Sequence, residues 1–460
     1  MKQRSESIKS LYVAFANGIM LLMSVAFFAW RWFDSISHLM DRSFRGKGNL
    51  MLLIFYVAIA VICMRMLKGF ALGRERLTRL VASQAIALIL TFTMIYFILG
   101  LLVGHIGLMS SLLKECLLML GVNLALYIVL DVVFVNIYVR LFPPYRIISV
   151  NGNHENSLLR KMESRVDKYH IEKEVSADVP YEDLEKLFFQ YDAILVNDVP
   201  LELERRIVKF GYAHSKRVYF TPKISDILVR GADEINFFDT PLYLNRNRGI
   251  SADQRIVKRC FDIVASLLAL IVLSPLFLVV ALAIKIEDGG PVFYRQERVT
   301  FRKRHFMILK FRSMIVDAEK DGKSIPAAEG DPRITKVGRV IRALRIDELP
   351  QLVNILVGEM SVVGPRPERV EHMEKYALEI PEFDYRLKVK GGLTGYAQVY
   401  GKYNTTAYDK LKMDLMYITN YSFSLDIQII FETIKILFRK ESTEGFSEEQ
   451  SKKITEMDNE

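Results

Sequence analysis

Three cysteines in 460 residues, Cys63, Cys116 and Cys260, are too few and too scattered to make a disulfide framework or a zinc spacing. Internal repeats and low-complexity tracts are lacking, which excludes a solenoid or an array. No G-x-G-x-x-G follows a strand-like segment, so a dinucleotide fold would lack its phosphate-cradling turn. There is no basic zipper and no aromatic-rich basic RNA motif. A net charge of +9 is therefore not read as nucleic-acid binding. In a membrane protein it fits cytosolic loops facing anionic headgroups, together with phosphate substrates.

Charge is scarcest in the first third. Leu11 to Phe33 carries only Arg31, Leu80 to Val103 carries no charge, and Leu117 to Val139 carries only Asp131. With the shorter run Leu50 to Met64, these predict four spanning helices within residues 1–142. The first lacks a small-residue cleavage site and is expected to stay as an anchor. Lys2, Arg4 and Lys9, then Arg65 to Arg79, then Arg140 and Arg146 outnumber the cations of the alternate loops, Arg42, Arg45, Lys47 and Lys114. That bias puts the N-terminus and everything after residue 142 in the cytosol. Asp131 fits packing or proximity to the helix end and is assigned no catalytic role.

After Pro143-Pro144 the texture is that of an α/β domain, residues 143–245. Arg146 to Val150, Ala193 to Val196 and Arg217 to Phe220 read as short buried strands between charged helical stretches. Residues 246–257 read as a linker. Val264 to Ile284 is long enough for a fifth crossing, yet Lys258-Arg259 before it and Arg295 to Arg304 after it both have the charge of cytosolic sequence. Ser274-Pro275 lies at its centre, where proline removes a helical hydrogen bond and the serine hydroxyl can satisfy the freed carbonyl. The expectation is a re-entrant helix, 261–285, that dips into one leaflet and returns.

The chemistry is concentrated in Arg342-Ala343-Leu344-Arg345-Ile346-Asp347-Glu348-Leu349-Pro350-Gln351, followed by Gly364-Pro365-Arg366-Pro367. Adjacent carboxylates on a helix point about 100° apart, so two separate jobs are expected rather than a shared proton. A carboxylate can attack phosphorus and leave an acyl-phosphate for a second acceptor to open. Mg²⁺ would bind through such acids together with substrate phosphates. Pro350 should disfavour helical geometry at Leu349 and leave the acids beside a kink. Taken alone, acids among arginines more often form a solvated helix face, and Arg345 to Glu348 is an ordinary i,i+3 spacing. Prolines on both sides of Arg366 reduce the freedom its guanidinium loses on meeting a phosphate. Strand alternation puts Lys310 and Arg312 on one face.

These motifs occur in order with Gly330 to Thr335, Gly338-Arg339, Asn354 to Leu356 and Gly358 to Ser361. From about Lys258 to Glu444 the chain closely resembles the bacterial sugar transferase family, the polyprenyl-phosphate hexose-1-phosphate transferases. The resemblance implies a mainly helical catalytic domain, 258–440, with a polar tail at 441–460. It likens the 143–245 domain to a degenerate Rossmann-like fold, and Ser274 and Pro275 to the family's monotopic helix break. It implies Asp347 as nucleophile, Glu348 and Asp347 around Mg²⁺, and Arg342, Arg366, Lys310 and Arg312 on substrate phosphate. Lys258, Arg259 and Asp262 match the family's positions at the membrane mouth, where a polyprenyl phosphate headgroup would lie. Thr300 and Lys303 stand where many relatives carry glycines, and Tyr396 replaces the common tryptophan.

The expected reaction transfers a hexose-1-phosphate from a UDP-sugar to undecaprenyl phosphate, releasing UMP, at the cytoplasmic face of the bacterial inner membrane. It would begin an exopolysaccharide, capsule or O-antigen. Membrane lipids are the expected surroundings, nucleic acid is not an expected partner, and a homodimer is the guess that long relatives suggest. Two other readings are an inverting glycosyltransferase releasing UDP and a non-catalytic scaffold of polysaccharide export.

Overall fold

A computed structural model of the protein describes residues 2–39, 46–152, 158–245, 249–316, 318, 331–401 and 405–437. The chain divides into two compact units, Met1–Pro222 and Lys223–Glu460. Arg42, Arg45, the linker residues 246–248, Gly330 and the tail at 441–460 lie outside the described residues.

The first unit opens with α1 (Lys2–Asp34), α2 (Lys47–Met66), α3 (Leu77–Val103) and α4 (Met109–Leu141). Each is long and apolar enough to cross a membrane, as is one later helix. Their inward faces interlock: Phe28 stacks on Tyr56 with ring centroids 4.1 Å apart, and the Ser24 and Tyr56 hydroxyls lie 2.7 Å apart. Leu22, Ile54 and Leu101 point outward and are exposed, the pattern of helices surrounded by lipid. Asp131 is buried and accepts from Gln84 Nε2.

Four strands follow, β1 (Tyr145–Asn151), β2 (Tyr169–Ser176), β3 (Ala193–Asn197) and β4 (Arg217–Phe220), with α5 (Leu158–Glu163), α6 (Tyr181–Phe188) and α7 (Leu201–Ala213) between them. They form a parallel sheet in the order β2-β1-β3-β4. β2 escaped the sequence reading because its charged, half-exposed pattern is that of an edge strand. A β-carbon on Gly152 would collide with Asp198 O. That glycine allows a close backbone approach where β1 ends. The basic ends of the helical bundle meet this sheet domain: Lys9 donates to Tyr145 Oη at 2.6 Å, Arg76 to Ser164 O at 3.0 Å and Lys168 to Arg74 O at 3.2 Å.

The second unit begins with α8 (Ile224–Arg230) and the hairpin β5 (Asp233–Phe237) and β6 (Thr240–Leu244). Ile224 and Ile227 join a core with Leu411, Leu415 and Ile418, so this stretch packs with the C-terminal unit rather than with the preceding sheet. α9 runs from Ala252 to Asp288. It therefore starts inside the expected linker, because Gln254 Oε1 turns back to accept from Ser251 N and fixes a helix start there. β7 (Phe293–Thr300) and β8 (Arg304–Phe311) form an antiparallel hairpin. Its turn holds Arg302 and Lys303 at φ 57° and 60°, the left-handed region that glycine occupies without cost.

After the hairpin come α10 (Lys336–Ala343), α11 (Gln351–Val357), β9 (Ser361–Val363), α12 (Val370–Glu379), β10 (Gly392–Thr394), α13 (Tyr396–Tyr400), α14 (Ala407–Thr419) and α15 (Phe423–Leu437). β9 and β10 pair in parallel. A side chain on Gly392 would collide with Gly364 N, so the glycine-rich loop serves backbone packing. Tyr396 packs on Tyr400.

Contacts with this unit run the length of α9. Lys258 Nζ meets Asp426 Oδ2 at 2.6 Å, Arg259 donates to Ile355 O and Leu356 O, and Asp262 accepts from Ser361 Oγ and Val362 N. Ala269, Leu270 and Leu273 pack on Phe306, Ile308 and Leu352, and Val280 and Ile284 on Phe311 and Ile341. At the far end Glu287 accepts from Lys336 N at 2.6 Å and Val337 N at 3.2 Å, capping α10, while Asp288 pairs with Arg312. Val264, Leu268, Val272, Leu282 and Ile286 remain exposed on the other faces. Ser274 Oγ donates to Ile271 O at 2.8 Å, the carbonyl that Pro275 leaves without its helical partner.

Candidate active site

Asp347 and Glu348 sit in a short 3₁₀ turn, Ile346–Glu348, between α10 and α11. The chain is redirected at Arg345, held left-handed at φ 53°. Leu349 is in the right-handed helical region, contrary to the effect expected of Pro350. Pro350 caps α11, where its lack of an N–H costs no hydrogen bond, and the bend falls at Arg345 instead. One residue in a 3₁₀ turn is about 120°, so the two carboxylates diverge.

Glu348 is the gripped member. Lys310 Nζ lies 3.1 Å from its Oε1, Arg366 Nη2 2.6 Å from the same oxygen, and Arg366 Nη1 3.4 Å from Oε2. Burial would raise this carboxyl, but Arg366 and Lys310 outweigh it and hold it well below the usual range. Glu348 in turn raises the Arg366 guanidinium. Burial lowers Lys310, with Glu348 opposing. Asp347 behaves oppositely: burial and the adjacent Glu348 raise it, only partly offset by Lys310, Arg342 and Arg366. Neighbouring carboxylates are thus driven apart, one locked as an anion and one made more basic.

Two supports position the cluster. Asn354 Oδ1 accepts from Leu309 N at 3.0 Å and its Nδ2 donates to Met307 O at 2.9 Å, fastening α11 to the strand that carries Lys310. Arg386 is buried against Asp414, with Nε to Oδ2 at 2.9 Å, and donates from Nη2 to Arg366 O at 3.0 Å. The Pro365-Arg366-Pro367 turn is thereby held from behind. Arg386 and Asp414 escaped the sequence reading because only the fold brings them to this turn.

The structure brings Asp347, Glu348, Lys310 and Arg366 together, with Arg342 close enough to lower Asp347. Arg312 is turned elsewhere: its Nε donates to Pro291 O at 2.7 Å and its Nη1 to Asp288 Oδ2 at 2.6 Å. It lies just past the end of β8, where the alternation that links it to Lys310 lapses. Lys258, Arg259 and Asp262 are committed to Asp426, to the last carbonyls of α11 and to β9. Ser274 and Pro275 lie mid-helix in α9, away from the acids in sequence and joined to them by packing of Leu276 and Ile346 around one core. Thr300 bridges the hairpin to the glycine loop, donating to Glu359 O and accepting from Gly391 N.

The sequence profile described as bacterial sugar transferase matches residues 253–440. A UDP-N-acetylgalactosamine-undecaprenyl-phosphate N-acetylgalactosaminephosphotransferase of Aeromonas hydrophila is 40% identical over 54% of this chain and 59% of its own length. A UDP-glucose:undecaprenyl-phosphate glucose-1-phosphate transferase of Klebsiella pneumoniae is 43% identical over 45% of this chain and 43% of its own length. The enzyme of the same name from Caulobacter vibrioides is 42% identical over 39% of this chain and 69% of its own length. The chain thus spans about half the length of the first two, and the sugars in the relatives' names differ.

Proposed function

The chain belongs to the bacterial sugar transferase family, and from that premise we propose that it transfers a sugar-1-phosphate from a UDP-sugar to undecaprenyl phosphate. The observation that carries the reading is the division of labour between two adjacent acids: Glu348 clamped by Lys310 and Arg366, and Asp347 raised beside it. Asp347 attacks the sugar-side phosphorus, the bond from that phosphorus to the bridging oxygen breaks, and the electron pair leaves on UMP. An oxygen of undecaprenyl phosphate then attacks the same phosphorus and returns Asp347 as a carboxylate. Lys310 and Arg366, fixed before substrate arrives, face the charge on the phosphoryl oxygens.

Among the described residues no three or more His, Cys, Asp or Glu side chains gather into a metal cage. The adjacent acids still suit Mg²⁺, which commonly takes one or two carboxylates plus substrate phosphates, and the raised Asp347 is where a further positive charge is tolerated. Asp347 and Glu348 would hold it, and it would supply neutralisation of donor phosphate charge.

Catalysis is read as taking place at the cytoplasmic face of the inner membrane, after four N-terminal crossings and a Rossmann-like sheet domain in chain order. Contact of Lys9, Arg74 and Arg76 with that sheet domain supports the basic ends of the bundle sharing its side. α9 is read as re-entrant. One folded unit touches it from Lys258 to Asp288, and a unit on one side of a bilayer cannot hold both ends of a straight crossing.

Product analysis with undecaprenyl phosphate, Mg²⁺ and a panel of UDP-sugars tests this. UMP is expected, with Asp347→Asn losing turnover. Release of UDP, or full turnover by Asp347→Asn, excludes the mechanism.

A further inference from the structure

Several buried and half-buried arginines in this unit pair with carboxylates, while half-buried Arg259 is held by backbone carbonyls. Arg312 has Asp288, Arg366 has Glu348, and Arg386 has Asp414 and Glu368. A guanidinium taken from water needs such a partner, since an uncompensated charge is costly. Arg298, near the end of β7 and half buried, makes no direct ion pair among the described residues; Glu368, already paired with Arg386, acts on it only from a distance. Its Nη1 donates to Pro367 O at 3.2 Å, its Nη2 to Gln296 Oε1 at 2.6 Å, and its Nε–H is enclosed without an acceptor. Burial first, and the like charge of Arg366 second, pull it down to about 10.

Its place in the hairpin puts it beside the clamped cluster. In the hairpin register Tyr294 faces Lys310 and Arg298 faces Phe306. Opposite and alternate residues share a face, so Arg298, Gln296 and Tyr294 line the same side as Lys310. The carbonyl that Arg298 holds belongs to Pro367, the residue after Arg366. Lys310 and Arg366 already spend charge on Glu348, whereas Arg298 spends its hydrogen bonds on neutral oxygens. A diphosphate has two anionic groups to place, and Arg298 is a cation on this face whose direct hydrogen bonds go to neutral oxygens.

We propose that Arg298 binds the nucleotide-side phosphate of the donor, while the sugar-side phosphate lies toward Asp347, Lys310 and Arg366. This rests on the proposed phosphosugar transfer. When the bond from the bridging oxygen to the sugar-side phosphorus breaks, the electron pair stays on that oxygen, and the added negative charge appears on the leaving nucleoside monophosphate. A guanidinium short of a counter-ion meets that charge without a proton moving.

The test measures UMP and uridine binding to the full-length protein in nanodiscs by calorimetry, for wild type, Arg298→Gln and Arg298→Lys, alongside melting temperature and KM for the UDP-sugar. In folded Arg298→Gln, UMP binding should weaken at least tenfold, about 1.4 kcal/mol, and KM should rise. Arg298→Lys, which keeps the charge but loses the planar fork, should recover only part and is decisive if the glutamine variant does not fold. Uridine, with no phosphate, should bind all three proteins alike. Wild-type UMP affinity in either folded variant overturns the assignment while leaving the transfer reading standing. A wild-type protein that neither binds nor releases UMP overturns both.

Discussion

Arg366 reaches Glu348 with both terminal nitrogens, 2.6 Å to one carboxylate oxygen and 3.4 Å to the other, from a turn locked by prolines on each side. The pair is formed before any substrate is present, so its geometry costs nothing at the moment of reaction. Arg366→Lys keeps the charge and loses the fork. Turnover should fall about 10- to 100-fold, the range of one lost charge-assisted hydrogen bond. Melting temperature should change little, because Arg386 holds the turn through its backbone. Steady-state kinetics beside a melting curve check this, and wild-type turnover would contradict it.

In the proposed transfer Asp347 must be ionised to attack, and burial together with Glu348 raises it above the ordinary carboxylate value. Activity should therefore drop as pH falls through that raised value, not through the ordinary one. Glu348→Gln removes a charge that raises Asp347. The acid limb of the residual pH profile should move to lower pH, and a limb that stays or moves upward refutes the coupling.

Asp288 and Arg312 fasten the exit of α9 to the end of β8. Arg312→Gln strands the partner carboxylate and should lower the melting temperature, while KM for the UDP-sugar should stay within about twofold because Arg312 is engaged by Asp288 and Pro291 O. A large KM rise at unchanged stability would restore Arg312 to the substrate site.

Cysteines placed at Arg255 and Glu287, one near each end of α9, should both react with an impermeant maleimide from the cytoplasmic side. Reaction from opposite sides would make α9 a crossing. Pro275→Ala restores a helical hydrogen bond and removes the need for the Ser274 cap on Ile271 O, so it should shift the labelling of one end.

Arg302 is exposed and left-handed in the β7–β8 turn. Arg302→Gly should relieve strain of about 1 kcal/mol and raise the melting temperature by roughly 2–4 °C, with unchanged kinetics. A fall in stability would mean that its side chain repays the strain.

Length and charge of the apolar runs, the carbonyl that Pro275 frees for Ser274 and the adjacency of the acid pair were legible in the chain, because hydrocarbon thickness, a missing amide hydrogen and residue order are local constraints. Ile271 as the acceptor for Ser274 follows from helical spacing alone. What α9 lies against is not local. Lys258 finds Asp426 and Asp288 finds Arg312 only once distant segments have folded together, and in that packing Lys258, Arg259 and Arg312 each hold a partner within the unit. The same holds at the centre. Residue order shows that Asp347 and Glu348 are neighbours among arginines, but which acid is clamped depends on the strand bearing Lys310 and the turn bearing Arg366 arriving on one side of a single 3₁₀ turn.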